Sequence, residues 1–385
     1  ASLLTFVKDN LKLYLDFNSK KSDTLKFPSE GSTSFDGSDD NIAISHSSDL
    51  SFGTNPHTIS AWAKLDVLAN FKTIISKRQA GGTATDYNLS VGANGVVYTY
   101  NGSATAQTAT GVISAGSWFH YALVYDGSAY QLYINGSAVA WASGTTTSGA
   151  SNSHDVAIGW DRTGNYWDGQ IANVALWSRE LEPEEIQSIQ NKSYSQLKGV
   201  EKTSLVMWQS LDSASNGVVQ PATGETSEER VTNGSFDADS DWSKGTGWSI
   251  NATNGTASAD GTSGFNYLSQ SNIFDDSNAL YKMTITIDSA ESLVNAGIVR
   301  NGTVQSFENS FGITSVGTHT VYFTNSTSNL LIYSNGVTTT ISNISVKKIT
   351  SNTGLVIGAT TTTSVYGGNA PILPRAVDVA KEGQA

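Results

Sequence analysis

The sequence predicts an all-β protein: two antiparallel β-sandwich domains in tandem, one short helix and an extended C-terminal arm. Three observations carry this. β-branched and aromatic runs recur along the chain and are joined by Asp-Gly and Asn-Gly dipeptides, the turn chemistry that closes β-hairpins. Several of these runs alternate apolar and polar residues with period two, as a strand with one buried face does. Only one stretch carries the signals of a helix start. With 385 residues, the chain has room for two or three domains, each with its own core.

In chain order, residues 11–15 (Leu-Lys-Leu-Tyr-Leu) read as the first strand, and Phe35-Asp36-Gly37-Ser38-Asp39-Asp40-Asn41-Ile42 holds two turn signals. Ile59, Ala61, Ala63 and Leu65 alternate with Ser60, Trp62 and Lys64, a strand with two distinct faces. Residues 119–125 and 130–134 meet through Asp126-Gly127, and residues 130–134 and 137–141 through Asn135-Gly136. Both dipeptides supply the positive φ of a type I′ turn, so three strands meander in sequence order. Pro183 suits the first helical position, Leu181 and Ile186 the two sites of a hydrophobic staple, and Glu185 the N3 acid. This first domain spans 1–197.

Past residue 191 the texture changes. Ser204-Leu205-Val206-Met207-Trp208 is strand-like, but the polar run ending Thr226-Ser227-Glu228-Glu229-Arg230 makes 198–230 a linker. A second sandwich spans 231–350. Val231-Thr232-Asn233-Gly234-Ser235-Phe236 opens it as a strand, and Tyr281, Met283, Ile285 and Ile287 alternate with Lys282, Thr284, Thr286 and Asp288. Residues 351–385 form the arm. Its Val356, Ile357, Ile372, Leu373 and Val377 are apolar, while Pro371 and Pro374 fix an extended segment without ladder bonds. Such a segment is too short to build a core, so it is expected to pack on the second sandwich or a neighbouring subunit as an assembly arm.

Composition narrows the function. There are no cysteines, which excludes a disulfide framework and cysteine-ligated metals. Nowhere do 18 apolar residues run together, so no membrane-spanning helix is expected. The formal charge of −12, with no basic run longer than pairs such as Lys20-Lys21 and Lys347-Lys348, repels phosphate backbones and argues against nucleic acid as a partner. The first residues lack a basic signal-peptide start; Ala1-Ser2 fits removal of an initiator methionine, and also a mature chain after signal cleavage.

The first run of motifs continues in a fixed order: Thr58-Ile59-Ser60-Ala61-Trp62, Trp118-Phe119-His120-Tyr121, Tyr130-Gln131-Leu132-Tyr133-Ile134-Asn135-Gly136, and Trp167-Asp168-Gly169-Gln170-Ile171-Ala172-Asn173-Val174 before the helix. That order resembles the laminin-G-like (concanavalin A-like) jelly-roll family over about residues 13–191. Residues 231–350 are similar, on less specific motifs, to the carbohydrate-binding-module jelly rolls related to those that bind β-glucan and xylan. An arm behind paired jelly rolls resembles structural proteins of tailed, often marine, bacteriophages. The resemblance implies a non-enzymatic virion structural protein, a capsid decoration or tail appendage at the virion surface. Its partners would be other virion proteins, copies of itself in a homo-oligomer, and host cell-surface glycans. The rival is a secreted bacterial adhesin, or the carbohydrate-binding fragment of a larger polysaccharide-degrading enzyme.

Candidate sites follow from chemistry. Hydrolases of this sandwich type need two carboxylates flanking the sugar bond, about 5–9.5 Å apart, and no strand here carries such a pair. Glu180, Glu182, Glu184 and Glu185 sit around a helix start, where acids complement the macrodipole. No catalytic residue is assigned. For a glycan, the densest cluster of aromatic platforms with amide and charged neighbours is Trp160, Arg162, Asn165, Tyr166 and Trp167, with Trp242 from the second unit; Trp248, Phe265 and Tyr267 are alternatives. Trp62, Trp118, Trp177 and Trp248 read as core plugs. No cofactor is required. Calcium, the usual ion of the family, would draw on Asp36, Asp39, Asp40, Asn41 and Asp168, although the two Asp turns explain most of these. Ala172 and Ser342 stand where related modules carry acids, which weakens the case.

Overall fold

The computed structural model describes residues 31–80, 82–144, 147–212, 218–219, 221, 225–277, 279–357 and 360–362, and builds them into two pairs of antiparallel sheets. The strand expected at 11–15, and Ile372, Leu373 and Val377 of the arm, lie outside the described residues. No helix among the described residues is long and apolar enough to cross a membrane.

One sheet of the first sandwich runs Ser137–Val139, Tyr130–Ile134, Trp118–Tyr125, His57–Leu65, Asp168–Trp177, Ser32–Asp36 and Thr360–Thr362, with Leu205–Gln209 also paired to Asp168–Trp177. The facing sheet runs Trp141–Ser143, Thr105–Thr108, Val97–Tyr100, Thr85–Val91, Lys72–Arg78, Val156–Ile158, Asn41–Ile44, Gly354–Ile357 and Val218–Val219. Ile59, Ala61, Ala63 and Leu65 point into the core between them, as their alternation predicts. The other face of that strand is buried too. The helix Pro183–Ile189 lies over it, and Leu181, Ile186 and Ile189 join Trp177 and Trp208 in a second apolar cluster. Trp62 donates from Nε1 to Gln190 O at 2.8 Å, tying the strand to the end of that helix.

Local chemistry explains the helix and the turns. Pro183 is the first helical residue, and Glu185 Oε2 accepts from the Glu182 N–H at 3.0 Å, closing the helix start. Gly199–Lys202 and Phe307–Phe311 add two short helices that the sequence did not announce. Asn135 and Gly136 take φ of 51° and 76°, the pair of positive angles a type I′ turn requires. At Asp126-Gly127 only the glycine does. Asp126 Oδ1 accepts instead from the Ser128 and Ala129 N–H groups at 2.6 and 2.8 Å, and this side-chain cap builds a longer turn.

The second sandwich packs two sheets. One orders Trp248–Asn251, Thr256–Asp260, Thr338–Ile349, Tyr281–Ala290 and Gly317–Phe323, with Ser227–Glu229 on the far part of Thr338–Ile349. The other orders Ser243–Lys244, Phe265–Gln270, Leu330–Asn335, Ala296–Arg300 and Thr303–Ser306. Tyr281, Met283, Ile285 and Ile287 fill its core. The Asn233-Gly234-Ser235-Phe236 segment is a turn and not a strand, with φ of 50° at Asn233 and 56° at Phe236. A Cβ on Gly234 would lie 1.9 Å from Ile344 O, so the close approach needs glycine, and Phe236 can then plug the core.

Two boundary expectations are corrected. Residues 198–230 are not a plain linker: Leu205–Gln209 pairs with Asp168–Trp177, and Met207 and Leu211 belong to the first core. Nor do the described residues after 351 stand outside the sandwiches as an arm. Val356 and Ile357 lie in Gly354–Ile357, which pairs with Asn41–Ile44 on one side and Val218–Val219 on the other, while Thr360–Thr362 pairs with Ser32–Asp36. The reason is edge satisfaction, because an unpaired strand leaves a row of N–H and C=O groups without partners. The second sandwich is therefore inserted, in sequence, between strands of the first.

Candidate functional site

The solvent-facing side of the sheet around Lys72–Arg78 carries the best-formed site. Register sets which side chains share that side: Thr73 stands opposite Ser90, Ser90 opposite Tyr98, Ser76 opposite Asn88, and Tyr100 opposite Thr105. In Val97–Tyr100 the residues alternate, Val97 and Thr99 buried in the core direction and Tyr98 and Tyr100 half-buried on the open side. A cavity of about 320 Å³ opens over this surface, roofed on one side by Asp161, Thr163 and Asn165 from the loop after Val156–Ile158.

Its apolar wall is aromatic. Phe71 meets Tyr98 with ring centroids 4.9 Å apart, and is 44% exposed. Phe71 also holds a φ of 53°, a backbone region that a bulky side chain seldom occupies, so local strain presents an aromatic ring at the rim. Gly92 lets Tyr98 lie down on the backbone; a Cβ there would come within 2.2 Å of the ring.

The polar side is organised by Asp161, whose side chain is nearly buried. Its Oδ1 accepts from the Thr163 and Asn165 N–H groups at 2.9 and 3.3 Å. Its Oδ2 accepts from Arg78 Nη1 at 3.0 Å, Thr163 Oγ1 at 2.7 Å and Asn165 Nδ2 at 2.7 Å. The Arg78 guanidinium stacks 4.7 Å over Tyr100 and donates to Gly82 O from Nε and Nη2. Asn88 accepts from Ser90 Oγ through Oδ1 at 2.9 Å. The arrangement offers rings for stacking with amides and hydroxyls around them.

Of the residues singled out from sequence, Asn165 lines this cleft. Trp160 and Tyr166 stack on each other, centroids 5.4 Å apart and planes within 1°, and Arg162 caps Trp160 at 5.8 Å while pairing with Asp155 at 3.2 Å. They form a satellite of the loop, not a wall of the cavity. Trp167 is corrected outright: its backbone N–H donates to Gly159 O, closing the loop, and the indole is fully buried in the first core. Trp242 is likewise core, with Nε1 donating to Asn233 O at 2.9 Å. Phe71, Arg78, Asn88, Tyr98, Tyr100 and Asp161 were missed. Tyr98-x-Tyr100, two aromatics on one side of a short strand, was the available signal.

The acidic turn is partly as expected. Asp36, Asp39 and Asp40 bring carboxylate oxygens within 4.8 Å of one another. Asp168 faces Asp36 across the ladder but stands outside that group. Burial pushes the Asp40 carboxyl up, the Asp36 N–H opposes this, and repulsion from Asp36 and Asp39 adds to it. One oxygen from each of the three is half or less of the six to eight calcium takes, so bidentate binding, carbonyls or water would have to supply the rest. Asp36 Oδ1 already accepts from Ser38 N at 2.8 Å, Asp40 Oδ2 from Asp36 N at 2.8 Å, and the Lys72 ammonium donates to Gly37 O. Turn chemistry accounts for the cluster.

One pair has a nucleophile's geometry. Ser60 Oγ lies 2.8 Å from His120 Nε2, but both residues are buried, and burial drives the imidazole down to about 3. His120 Nδ1 has no hydrogen-bond partner, so no acid orients the ring. The pair is structural.

A search of curated protein sequences finds no match. Among solved structures, the chain is similar to a Bacteroides ovatus protein assigned provisionally to carbohydrate binding, at 18% identity and a TM-score of 0.41, over 52% of this chain and 56% of that one. The chain thus spans little more than half the length of that protein. It is also similar to domain 4 of an extracellular arabinanase from Geobacillus stearothermophilus solved with arabinotriose, at 18% identity and a TM-score of 0.30, over 38% of this chain and 71% of that one. A heptameric pentraxin from Limulus polyphemus gives 16% identity and a TM-score of 0.29, over 40% of this chain and 83% of that one. Residues 36–187 match the profile of the concanavalin A-like lectin/glucanases superfamily, and this part of the chain has that family's β-sandwich fold.

Proposed function

We propose that the protein is a non-enzymatic glycan-binding module, and that the first sandwich holds a sugar ring against Tyr98 and Tyr100 in the cleft between Phe71 and Asn165. The observation that carries this is the aromatic wall of Phe71, Tyr98 and Tyr100 on an otherwise polar open sheet. Sugars present apolar C–H faces ringed by hydroxyls, and such a wall beside amides is complementary to both. The match of residues 36–187 to a lectin and glucanase superfamily supports the same reading. The cavity lies at the small end of the range for ligand pockets, about 300–1,000 Å³, which suits a short stretch of sugar chain.

The test is binding of purified protein to a panel of soluble polysaccharides by affinity electrophoresis, with Tyr98→Ala and Tyr100→Ala beside the parent chain. We expect each variant to fold and to bind at least tenfold more weakly, about 1.4 kcal/mol. Undiminished binding by a folded Tyr98→Ala variant refutes the site. A capsid decoration or tail appendage at a virion surface, assembled as a homo-oligomer, would use this face on host glycans; a secreted adhesin or enzyme-borne binding module would use it on a polysaccharide. Sedimentation of the protein with virus particles separates the two.

A further inference from the structure

We infer that the cleft takes neutral sugars, and that Asp161 is the residue that closes it to acidic ones. This rests on the glycan reading of the same cleft and adds the ligand class. Arg78 is the cation of the cleft, and it is the group that would recruit a uronate or sialate carboxylate. Three of its five N–H donors are already engaged, and its charge is paired. Nη1 is paired to Asp161 at 3.0 Å, Nε and Nη2 face Gly82 O, and one face of the guanidinium is covered by Tyr100.

Asp161 is more fully engaged. Five donors converge on its two oxygens, from Arg78, the Thr163 N–H and hydroxyl, and the Asn165 N–H and amide. Its side chain is 4% exposed, so solvent screens it little and it is fixed in place. An incoming carboxylate would meet this anion beside the cation, 3.0 Å from Arg78 Nη1. The pair presents no net charge to the ligand, while the chain as a whole carries −12.

What remains for the ligand is uncharged. Asn88 has its oxygen occupied by Ser90, which leaves the Nδ2 donor. Asn165 has its Nδ2 occupied by Asp161 and Thr163, which leaves the Oδ1 acceptor. Thr105 and Tyr98 add hydroxyls at the wall. One amide donor, one amide acceptor and two hydroxyls beside stacking rings match the hydroxyls of a neutral pyranose or furanose.

The experiment compares retardation of the full chain in gels containing laminarin or xylan, which are neutral, with polygalacturonate or polysialate, which are acidic. Asp161→Asn and Gly92→Ala are run in parallel, and circular dichroism verifies that each is folded. Retardation by a neutral polymer, unchanged by added salt, is expected, with none by the acidic polymers. Asp161→Asn, which frees the Arg78 charge, should gain retardation by an acidic polymer that salt abolishes. Gly92→Ala keeps every polar group but displaces the Tyr98 ring, and should lose at least tenfold on the neutral polymer. Retardation of the parent by acidic polymers alone overturns this inference and leaves the glycan reading standing. An Asp161→Asn variant that gains nothing removes Asp161 from the role. Retardation by no polymer at all overturns the glycan reading and this inference with it.

Discussion

His57 and His120 set the acid limit of the first sandwich. His57 stacks on Phe52, shares a 2.8 Å hydrogen bond with the Tyr130 hydroxyl, and is held at about 4 by burial, which outweighs the bond it donates to Asn55 O. His120 is held at about 3 by burial. Both lie below the unfolded value near 6.5, so the native imidazoles stay neutral while the unfolded chain takes up protons. Their contribution is intact above about pH 6.5 and is lost as the pH falls towards 4. The loss is on the order of a few kcal/mol for each ring. Urea midpoints should fall between pH 7 and 4.5, and His120→Gln should flatten that fall; an unchanged slope would assign the acid lability elsewhere. At the acidic turn the expectation is a small effect. A calcium ion at 100 times its Kd adds about 2.7 kcal/mol, and with the Asp36 and Asp40 oxygens committed to the turn, melting in calcium and in chelator should coincide. A rise of many degrees that Asp39→Ala removes would make the cluster an ion site after all. Residue chemistry was half legible in the sequence. Asn165 was found because amides beside aromatics are a composition signal, whereas Trp167 and Trp242 look identical to exposed platforms until backbone direction is known.

Among the elements, Pro183–Ile189 was readable because its start signals are local: a proline, a staple and an acid within six positions. Its role was not readable, since which sheet a helix covers depends on contacts distant in sequence. Ile186 is fully buried against the outer side of the first sheet, in the cluster with Trp177 and Trp208. Ile186→Ala should therefore cost about 2–5 kcal/mol, read as a lower urea midpoint, with glycan binding at the opposite sheet unaffected at temperatures where the variant is folded. A cost below 1 kcal/mol would mean that the helix merely rests on the sheet. The strand Val97–Tyr100 teaches the converse. Its period of two was legible, but the depth of the cleft above it comes from the loop carrying Asp161 and Asn165, joined to it through Arg78.

At the scale of the molecule, the all-β class was visible in turn chemistry and alternation, while the order of assembly was not. Gly354–Ile357 is a short apolar run before a threonine tract, and nothing in those residues says that they pair with Asn41–Ile44. Pairing over so many residues depends on where two edges lie in space, information that no local window holds. A chain ending at residue 353 should keep the second sandwich and lose the first one's melting transition by on the order of 5 °C or more. Two-domain calorimetry checks this, and unchanged melting of both units would return the segment to the status of a free arm.

The same pairing reverses the usual order in which a chain matures on the ribosome. The sandwich made first lacks its last edge partners until Gly354–Ile357 emerges, after the whole of the second sandwich has been translated. At roughly 5–20 residues per second, the edges of Asn41–Ile44 and Ser32–Asp36 wait many seconds without their last partners. Translation speed, and any chaperone that shields bare strand edges during that delay, should then govern the yield of native protein more strongly than the stability of either finished sandwich.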